Sequence, residues 1–362
     1  MEKSLYAQYV EKFFPTLVTS VVEKLNEKER TTLSYLYKSL LDYEFSADGR
    51  WASILAEYTR VAADVVALDS ELPLKSRDSI ETASGDIPKI GMKVYLTEKQ
   101  MKDIDSMIAL NMPLQRVLNK IFDDVPRCIE AVYERIEDIF LSELSSGVGI
   151  SEQNNGTGIR IDMNYKEANQ FRAETTWVGH ADSCKPLDDL QKVFDKALDD
   201  NNTITDIYAD DTWLKAFYTS AQVRAQFAFN AGVSVAAGSA IPVLGFEQAA
   251  DVVDKKWGVT LHRVTRRIKT EINGKKNNHN PWATGVAAFV CDKQLGKVVW
   301  TTVAEATRPV NGVDYQGADE FILVSKYSTN DPLREFTSSQ AMAIPVLDNV
   351  DRIYTLNQEA AA

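Results

Sequence analysis

The sequence predicts an α+β protein, and three patterns along the chain support that class. Apolar residues recur at spacings of three and four over residues 1–70 and again over 126–146, which predicts helices. Residues 72–96 carry no helical stripe and are rich in polar and charged side chains, which predicts extended chain. Residues 186–347 alternate helical stripes with short apolar runs, which predicts a compact mixed sheet flanked by helices.

The composition is that of a folded protein with a sizeable core: 362 residues, 44% hydrophobic and 25% charged. The formal net charge of −12 argues against tight binding of nucleic acid as the main task, because neutralising phosphates requires a basic surface. Cys128, Cys184 and Cys291 form no CxxC pair, so neither a disulfide framework nor a zinc site is predicted. The N-terminus lacks the apolar run of a signal peptide, and no segment is apolar enough to span a membrane. We therefore expect a soluble protein made in a cytoplasm.

Residues 1–70 contain three apolar stripes with helical spacing. The stripes are Tyr6, Val10, Phe13, Leu17, Val21 and Leu25; Leu33, Leu36, Leu40 and Tyr43; and Trp51, Leu55, Tyr58, Ala62 and Val65. Thr31 or Thr32 is placed to cap the second helix. Two explanations remain open: a small helical domain with its own core, or an arm that buries these stripes against neighbouring subunits.

Residues 72–96 predict a long β-hairpin, with a turn cluster at residues 83–86 between two extended segments. An isolated two-stranded hairpin is marginal in water. The hairpin must therefore pack on the rest of the chain or reach a partner. The capping-box pattern Thr97-Glu98-Lys99-Gln100 follows, and it predicts a helix start.

The clearest helix covers residues 126–146. Asp123 and Asp124 lie where the helix dipole favours negative charge, and Pro126 suits a first turn. Its predicted apolar face consists of Ile129, Val132, Tyr133, Ile136, Phe140 and Leu144. At ~1.5 Å per residue this helix would form a rod of roughly 30 Å. A second hairpin should follow, with its turn at residues 154–156.

The remaining chain predicts an α/β region. Helices are expected at residues 186–199, from about Asp211, and at 246–257, and strands at 204–208 and in the segments VTLHRV, GVAAFVC, KVVWTT, EFILVSKY and AMAIPVL.

Asp210 and Asp211 resemble the paired aspartates that hold catalytic metal ions in reverse transcriptases. Such a site needs a further carboxylate on a neighbouring strand, which the sequence does not identify. The simpler interpretation is that Asp210 or Asp211 caps the helix that follows. We therefore predict no catalytic residue, no metal site and no cofactor.

The three histidines, His180, His262 and His279, share no metal-binding spacing, and His279 falls in a polar stretch predicted to be a loop. One basic cluster stands out in the acidic chain: Arg263, Arg266, Arg267 and Lys269, followed by Lys275 and Lys276. Three roles remain open for it: contact with DNA, a solvated loop, or pairing with an acidic neighbouring subunit.

The order of these elements resembles the HK-ninety-seven-like fold of tailed-bacteriophage shells, and more specifically the lambda-type major capsid protein E family. Four stretches carry the resemblance: CIEAVYERIEDIFLSELSSG; GIRIDMN with Trp177 and PLDDLQKVFD; ITDIYADDTWLKAF; and DPLREFTSSQAMAIPVLDNVDRIYTL with Pro332, Ser338, Pro345 and Asp351. It covers residues 72–356, whereas residues 1–70 depart from the family pattern.

The resemblance implies a division of the chain into parts. These are a helical N-terminal arm (1–70), an E-loop hairpin (71–97), a P-domain (98–182) with its spine helix (126–146), an A-domain (183–318) and closing strands shared by both domains (319–362). The E-loop would lie over an adjacent subunit. Its expected inter-subunit contacts are Lys75, Arg77, Asp78, Glu81, Asp86, Lys89 and Lys93.

The implied function is that of a major capsid protein, which assembles through hexamers and pentamers into an icosahedral head around phage DNA. Other copies of the chain would be the main partners, with portal, scaffold and decoration proteins and a loose contact with double-stranded DNA. The virion would be the final location and the host cytoplasm the site of synthesis. Two alternatives remain: an encapsulin-type compartment shell, and a metal-dependent enzyme using Asp210 and Asp211.

Overall fold

A computed structural model describes residues 1–26, 35–56, 80–154, 157–232, 244–272 and 274–361. The chain divides into two compact units, each assembled from separate segments. Unit 1 comprises Met1–Trp51, Gly85–Asp138 and Lys297–Val346. Unit 2 comprises Ala52–Ser84, Ile139–Gly296 and Leu347–Ala362.

The described helices are numbered along the chain. They are α1 (Ala7–Asn26), α2 (Tyr37–Leu40), α3 (Glu98–Ala109), α4 (Leu114–Ile121), α5 (Asp124–Ser146), α6 (Pro186–Asp199), α7 (Asp211–Thr219), α8 (Ala221–Asn230), α9 (Phe246–Trp257) and α10 (Ala304–Thr307), with short 3-10 helices at Glu167–Asn169 and Val350–Arg352. Each of these described helices is too short or too polar to cross a membrane.

The described strands are numbered in the same way. They are β1 (Leu41–Phe45), β2 (Arg50–Ala56), β3 (Ile80–Asp86), β4 (Lys89–Leu96), β5 (Val148–Asn154), β6 (Thr157–Asp162), β7 (Gln170–Ala173), β8 (Asp206–Asp210), β9 (Thr260–Val264), β10 (Ile268–Ile272), β11 (Lys275–His279), β12 (Val286–Val290), β13 (Gly296–Thr301), β14 (Asp314–Ala318), β15 (Ile322–Asn330), β16 (Leu333–Leu347) and β17 (Ile353–Ala360).

Unit 1 is organised around the long strand β16. The order of its sheet is β1-β13-β16-β15-β14, and β4 also pairs with β16. The β4 register is antiparallel and places Lys89 opposite Met342 and Leu96 opposite Glu335. Helix α1 packs in the same unit, where the Phe14 ring stacks on Phe122 with ring centroids 6.0 Å apart. Strands from distant parts of the chain therefore share one sheet.

Helix α5 is 23 residues long, and its residues 124–138 belong to unit 1 while 139–146 belong to unit 2. The six residues of its predicted apolar face, Ile129, Val132, Tyr133, Ile136, Phe140 and Leu144, are each at most 1% exposed. Burying a large apolar side chain contributes about 1.5–3 kcal/mol, so this face ties the helix firmly to its surroundings.

Unit 2 contains a five-stranded sheet with the order β7-β17-β12-β8-β9. Strands β8 and β9 are parallel, whereas β12 runs antiparallel to both β8 and β17. Helices α6, α7 and α9 contribute Leu190, Phe217 and Val252 to its core. The Trp213 and Phe217 rings stack in this core, with centroids 5.1 Å apart. This is the mixed sheet with flanking helices that the sequence predicts.

Several predicted elements are confirmed. The α+β class is correct, the long helix is present, and the helices over Pro186–Asp199 and Phe246–Trp257 have the predicted bounds. The capping box at the start of α3 is also confirmed: Thr97 N–H donates to Gln100 Oε1 at 2.9 Å, and Gln100 N–H donates to Thr97 Oγ1 at 3.5 Å.

The predicted N-terminal stripes are partly wrong. Of the first stripe, Tyr6, Val10 and Leu25 are buried as predicted, whereas Phe14 and Val18 are buried in place of the predicted Phe13, Leu17 and Val21. The second stripe yields only the four-residue helix α2, because the chain continues into strand β1. The third stripe begins in strand β2, where Trp51 and Ser53 are buried. Leu33, with Thr31 and Thr32, and residues 57–65 lie outside the described residues.

The pairing within the predicted hairpin of residues 72–96 is also different. Residues 83–86, expected to form a turn, belong to strand β3. Strand β3 pairs with β2, and β4 pairs with β16. A second correction concerns the polar stretch at Lys275–His279, which is strand β11 of a β10–β11 hairpin and not a loop. In both places the strand partner, and not local hydrophobicity, determines the structure.

Candidate assembly interface

The two-stranded sheet formed by β2 and β3, called the ribbon below, is the clearest candidate for contact with another molecule. Among the described residues, each of its strands pairs only with the other. A two-stranded sheet is marginally stable in water unless a further surface covers it. The ribbon therefore needs packing beyond its own backbone hydrogen bonds. The chain itself supplies part of it at β2, where Ser53 is 1% exposed and its Oγ donates to Leu347 O at 2.7 Å.

The described base of the ribbon is held firmly. Ile87 N–H donates to Gly49 O at 2.9 Å across its end, and Gly49 takes a positive φ of 73° that favours glycine. Trp51, 6% exposed, packs against Gly85: a Cβ at position 85 would lie 2.8 Å from Trp51 Nε1. Arg50 and Asp86 form an exposed ion pair at 3.6 Å. The base thus fixes the conformation of the chain where the two strands of the ribbon begin and end.

The seven residues predicted to make E-loop contacts have different positions. Lys75, Arg77 and Asp78 lie outside the described residues, and for Glu81 only the backbone, in β3, is described. Asp86 is exposed beside Arg50. Lys89 and Lys93 lie on β4 and have partners within unit 1, since Lys89 Nζ is 2.7 Å from Glu305 Oε1 and Lys93 Nζ lies 5.0 Å from the Phe336 ring centroid.

The basic cluster lies along β9, the following turn and the β10–β11 hairpin. Arg263 donates through Nε to Asp211 Oδ1 at 2.5 Å, and this hydrogen bond holds the pKa of the Asp211 carboxyl below its usual value. Arg266 is also engaged within the chain. Arg267 and Lys269 are exposed. The cluster is therefore partly used internally, although Arg263, Arg267, Lys269, Lys275 and Lys276 are all exposed.

Asp210 and Asp211 have separate structural tasks. Asp210 is 3% exposed, and its Oδ1 accepts from Trp213 N–H at 3.0 Å and from Gly285 N–H at 3.1 Å. It is the N-cap of α7, whereas Asp211 pairs with Arg263. No group of three potential metal ligands occurs within the part of the chain that the structure describes. This arrangement serves folding, because both carboxylates bind donors from the protein.

The histidines and cysteines are dispersed. His262 Nε2 lies 2.7 Å from Asp206 Oδ1, and its ring stacks on Tyr208 with centroids 4.6 Å apart. Cys128, Cys184 and Cys291 are buried as free thiols. Burial raises the pKa of Cys128 and of Cys291 to about 12, which disfavours the reactive thiolate.

Sequence reasoning missed a network at the N-terminus. Ser4 Oγ donates to Glu335 Oε1 at 2.5 Å, and Leu5 N–H donates to Glu335 Oε2 at 2.9 Å. Glu335 also lies 3.6 Å from the ammonium of Lys326, and neither side chain is exposed. Lys326 donates further to Ile121 O at 3.0 Å. Strand alternation alone gives no signal that a charged pair on β15 and β16 faces inward.

Comparison with known proteins identifies the class. The chain matches the sequence model of the phage major capsid protein E family over residues 56–357. It is structurally similar to the capsid protein of an Escherichia coli CFT073 prophage, with 12% identity over 93% of this chain and 97% of that one and a TM-score of 0.57. A comparison with curated protein sequences finds no match.

More distant structural similarities are also found. A virus-like particle from Pyrococcus furiosus is 9% identical over 95% of this chain and 99% of that one, with a TM-score of 0.43. The holo-SrpI encapsulin complex from Synechococcus elongatus PCC 7942 is 12% identical over 92% and 90%, with a TM-score of 0.40.

The fold is HK-ninety-seven-like, and the protein is a shell-forming structural protein that self-associates. The chain belongs to the phage major capsid protein E family, as the resemblance in its sequence implies. Its place is the capsid of the virion.

Proposed function

We propose that this capsid protein builds its shell from hexamers and pentamers, and that the ribbon extends over an adjacent subunit. The observation that carries this proposal is the pairing of β2 with β3 alone among the described residues, on a base fixed by Trp51 and Gly85. Packing on a neighbour would supply the surface that a two-stranded sheet lacks. The ribbon is thus the element that joins one subunit to the next.

The area requirement of a shell supports the same arrangement. Obligate interfaces commonly bury about 2,000–5,000 Å² in total. An extended element lying over a neighbour adds area with few residues. Charged groups such as Arg50 and Asp86 at the base of the ribbon would fix the orientation of the contact.

Unit 2 is proposed to be the part that surrounds the hexamer and pentamer axes. Its exposed basic residues Arg267 and Lys269 would face an acidic surface of a neighbouring copy. The net charge of −12 favours this role over tight DNA binding, since an acidic subunit contacts packaged DNA only loosely. Enclosure of phage DNA, synthesis in the host cytoplasm, and binding to portal, scaffold and decoration proteins complete the proposal.

The proposed role involves no catalysis. Asp210 is used as a helix cap and Asp211 as an ion-pair partner, so neither carboxylate is left to hold a metal without loss of a structural contact. The buried cysteines have raised pKa values and are poor nucleophiles.

The decisive experiment shortens the ribbon. Residues 54–83 are replaced by an Asn-Gly turn, which keeps Trp51, Gly85 and the base contacts while removing most of β2 and β3. We expect a folded subunit, with a circular dichroism spectrum and thermal midpoint close to those of the wild-type subunit, that forms no closed particles in electron micrographs. A second variant keeps both strands and replaces only residues 57–79 by a Gly-Ser linker of equal length, which separates the roles of strands and connection.

Closed shells from the shortened variant would contradict the ribbon assignment. Wild-type particles that enclose protein cargo, and no DNA, on isolation from the native host would favour an encapsulin-type compartment. Metal-dependent nucleotidyl transfer by the purified chain, abolished by Asp211→Ala with assembly intact, would favour an enzyme.

A further inference from the structure

Glu143 is a buried carboxyl group that makes no hydrogen bond within the described residues. It lies near the C-terminal end of α5, in unit 2, and its exposed fraction is 0%. Both Oε1 and Oε2 lack a hydrogen-bond partner. Buried polar groups are almost always paired, so an isolated one on the longest described helix requires an explanation.

The described side chains nearest to Glu143 are apolar or already hydrogen-bonded. The Gly149 backbone of β5 approaches so closely that a Cβ at position 149 would lie 2.6 Å from Glu143 Oε1 and 3.0 Å from Ile139 Cγ2. Ser142 Oγ donates to Val148 O and Ser145 Oγ donates to Leu141 O, both at 2.8 Å. Nearby hydroxyl donors on α5 are therefore used by the backbone.

Tyr165 is the titratable group that faces Glu143 from the chain following β6. Its hydroxyl donates to Leu144 O at 3.3 Å, so it too is occupied. Burial raises the Tyr165 pKa, and the Glu143 carboxylate raises it further, so Tyr165 stays neutral and adds no compensating positive charge. Gly149 contributes no side chain from β5.

An ionised carboxylate in this position would lose its hydration and would find no hydrogen-bond donor among the described residues to compensate for it. The cost of such burial is large enough that the group takes up a proton instead. Burial accordingly raises the Glu143 pKa well above its ordinary value. The helix end as packed in the structure therefore corresponds to the neutral acid.

We propose that Glu143 is a proton-held latch: the neutral acid permits the end of α5 to pack in unit 2, and loss of the proton drives that end out of its packed position. The consequence for particles rests on the proposed shell function. A rise in pH would loosen the shell from inside each subunit, through its longest described helix, and not through the contacts between subunits.

The direction of the pH dependence follows from the two pKa values. In the unfolded chain the carboxyl group ionises near the ordinary value of 4.5, whereas in the folded chain it ionises at a higher pH. The full stabilisation is present below pH 4.5 and is lost as the pH rises towards the folded-state pKa. Between these values the unfolding constant gains about one factor of ten per pH unit.

Glu143→Gln tests the latch, because glutamine has the shape of the neutral acid and does not ionise. We expect equal urea midpoints for variant and wild type at pH 4, and a higher midpoint for the variant at pH 8. The ratio of the two unfolding constants should change by up to about tenfold per pH unit above 4.5. In infrared spectra of wild type recorded above pH 4.5, the carbonyl band of a protonated acid should remain, and it should be absent from spectra of the variant.

Glu137→Gln provides a matched control on the same helix. Glu137 is 1% exposed, but it accepts hydrogen bonds from Leu36 N–H at 3.0 Å and Tyr37 N–H at 3.1 Å. Its carboxylate is stabilised by these donors, so this substitution should lower the midpoint at neutral pH. A urea midpoint raised by Glu143→Gln and lowered by Glu137→Gln would distinguish the latch from a general effect of removing a buried charge.

The latch would be overturned if the urea midpoints of wild type and Glu143→Gln changed with pH in parallel. It would also be overturned if the infrared spectrum of wild type showed no band of a protonated acid. These measurements use full-length subunits below the concentration at which they assemble. They are therefore independent of the ribbon experiment, and the latch can fail while shell formation stands. If both proteins also lose particle integrity at the same pH, alkaline loosening does not originate at Glu143.

Discussion

Two adjacent aspartates show how the environment separates the tasks of similar side chains. Asp210 is buried and accepts from two backbone N–H groups, whereas Asp211 is partly exposed and pairs with Arg263. The sequence predicts that one of them caps α7, but it does not distinguish them. The distinction comes from Gly285, which approaches from the turn before β12 and is 75 residues away in the chain.

Substitution of each aspartate by alanine should therefore have unequal effects. Asp210→Ala removes the cap and leaves the buried Gly285 N–H unpaired, at a cost of about 1–4 kcal/mol in the free energy of unfolding. Asp211→Ala removes a partly exposed ion pair and should cost about 0–1 kcal/mol. Urea unfolding followed by circular dichroism measures both. Equal losses would show that the assignment of the cap to Asp210 is wrong.

The burial of Glu143 could not be predicted from the helical pattern of the sequence. Its position on α5 is adjacent to the predicted apolar face that includes Leu144, and a glutamate there is ordinarily solvated. It is buried because β5 turns back onto the helix end at Gly149. The close approach depends on Gly149 in β5, and the sequence around this glycine predicts only a hairpin.

At the scale of elements, local sequence patterns predict most of the helices, but they do not predict which strands pair with one another. The stripes over α5, α6 and α9 give correct helices because each buries one continuous face. Strand β2 was predicted as a helix because Trp51 and Leu55 have a spacing of four, which a short strand also allows. Its pairing with β3 across residues 57–79 is not a local property.

Strand β4 provides a sharp test of the sheet in unit 1. A Cβ at Gly91 would lie 2.5 Å from the backbone oxygen of Ser339 in β16, and backbone cannot move aside cheaply. Gly91→Ala should therefore force the paired strands apart and lower the free energy of unfolding by about 1–3 kcal/mol. Thermal unfolding of the purified chain measures the loss.

Gly317→Ala is the matched control in the same sheet. Gly317 lies in β14, and nothing lies within 4 Å of the position its Cβ would take. The stability should be unchanged or raised by up to about 1 kcal/mol, because alanine restricts the unfolded chain. If Gly91→Ala is equally harmless, the register of β4 on β16 needs revision.

At the scale of the whole molecule, a net charge of −12 makes subunits repel one another, and exposed basic residues can offset that repulsion locally. Lys269→Glu should slow assembly followed by light scattering, and the difference from wild type should shrink as salt is raised. Lys99→Glu on α3 changes the net charge equally at an exposed site in unit 1 and should slow assembly less. Identical rates for the two variants would mean that only total charge matters.

The hydrogen bond between Ser4 and Glu335 has a consequence for when unit 1 can fold during synthesis of the chain. The two residues are 331 positions apart, and β16, which carries Glu335, is also the partner of β4 and β15. At about 5–20 residues per second, roughly 15 to 65 s pass between their appearance on the ribosome. A nascent chain therefore cannot complete unit 1, whose last segment is Lys297–Val346, before most of its length has been synthesised.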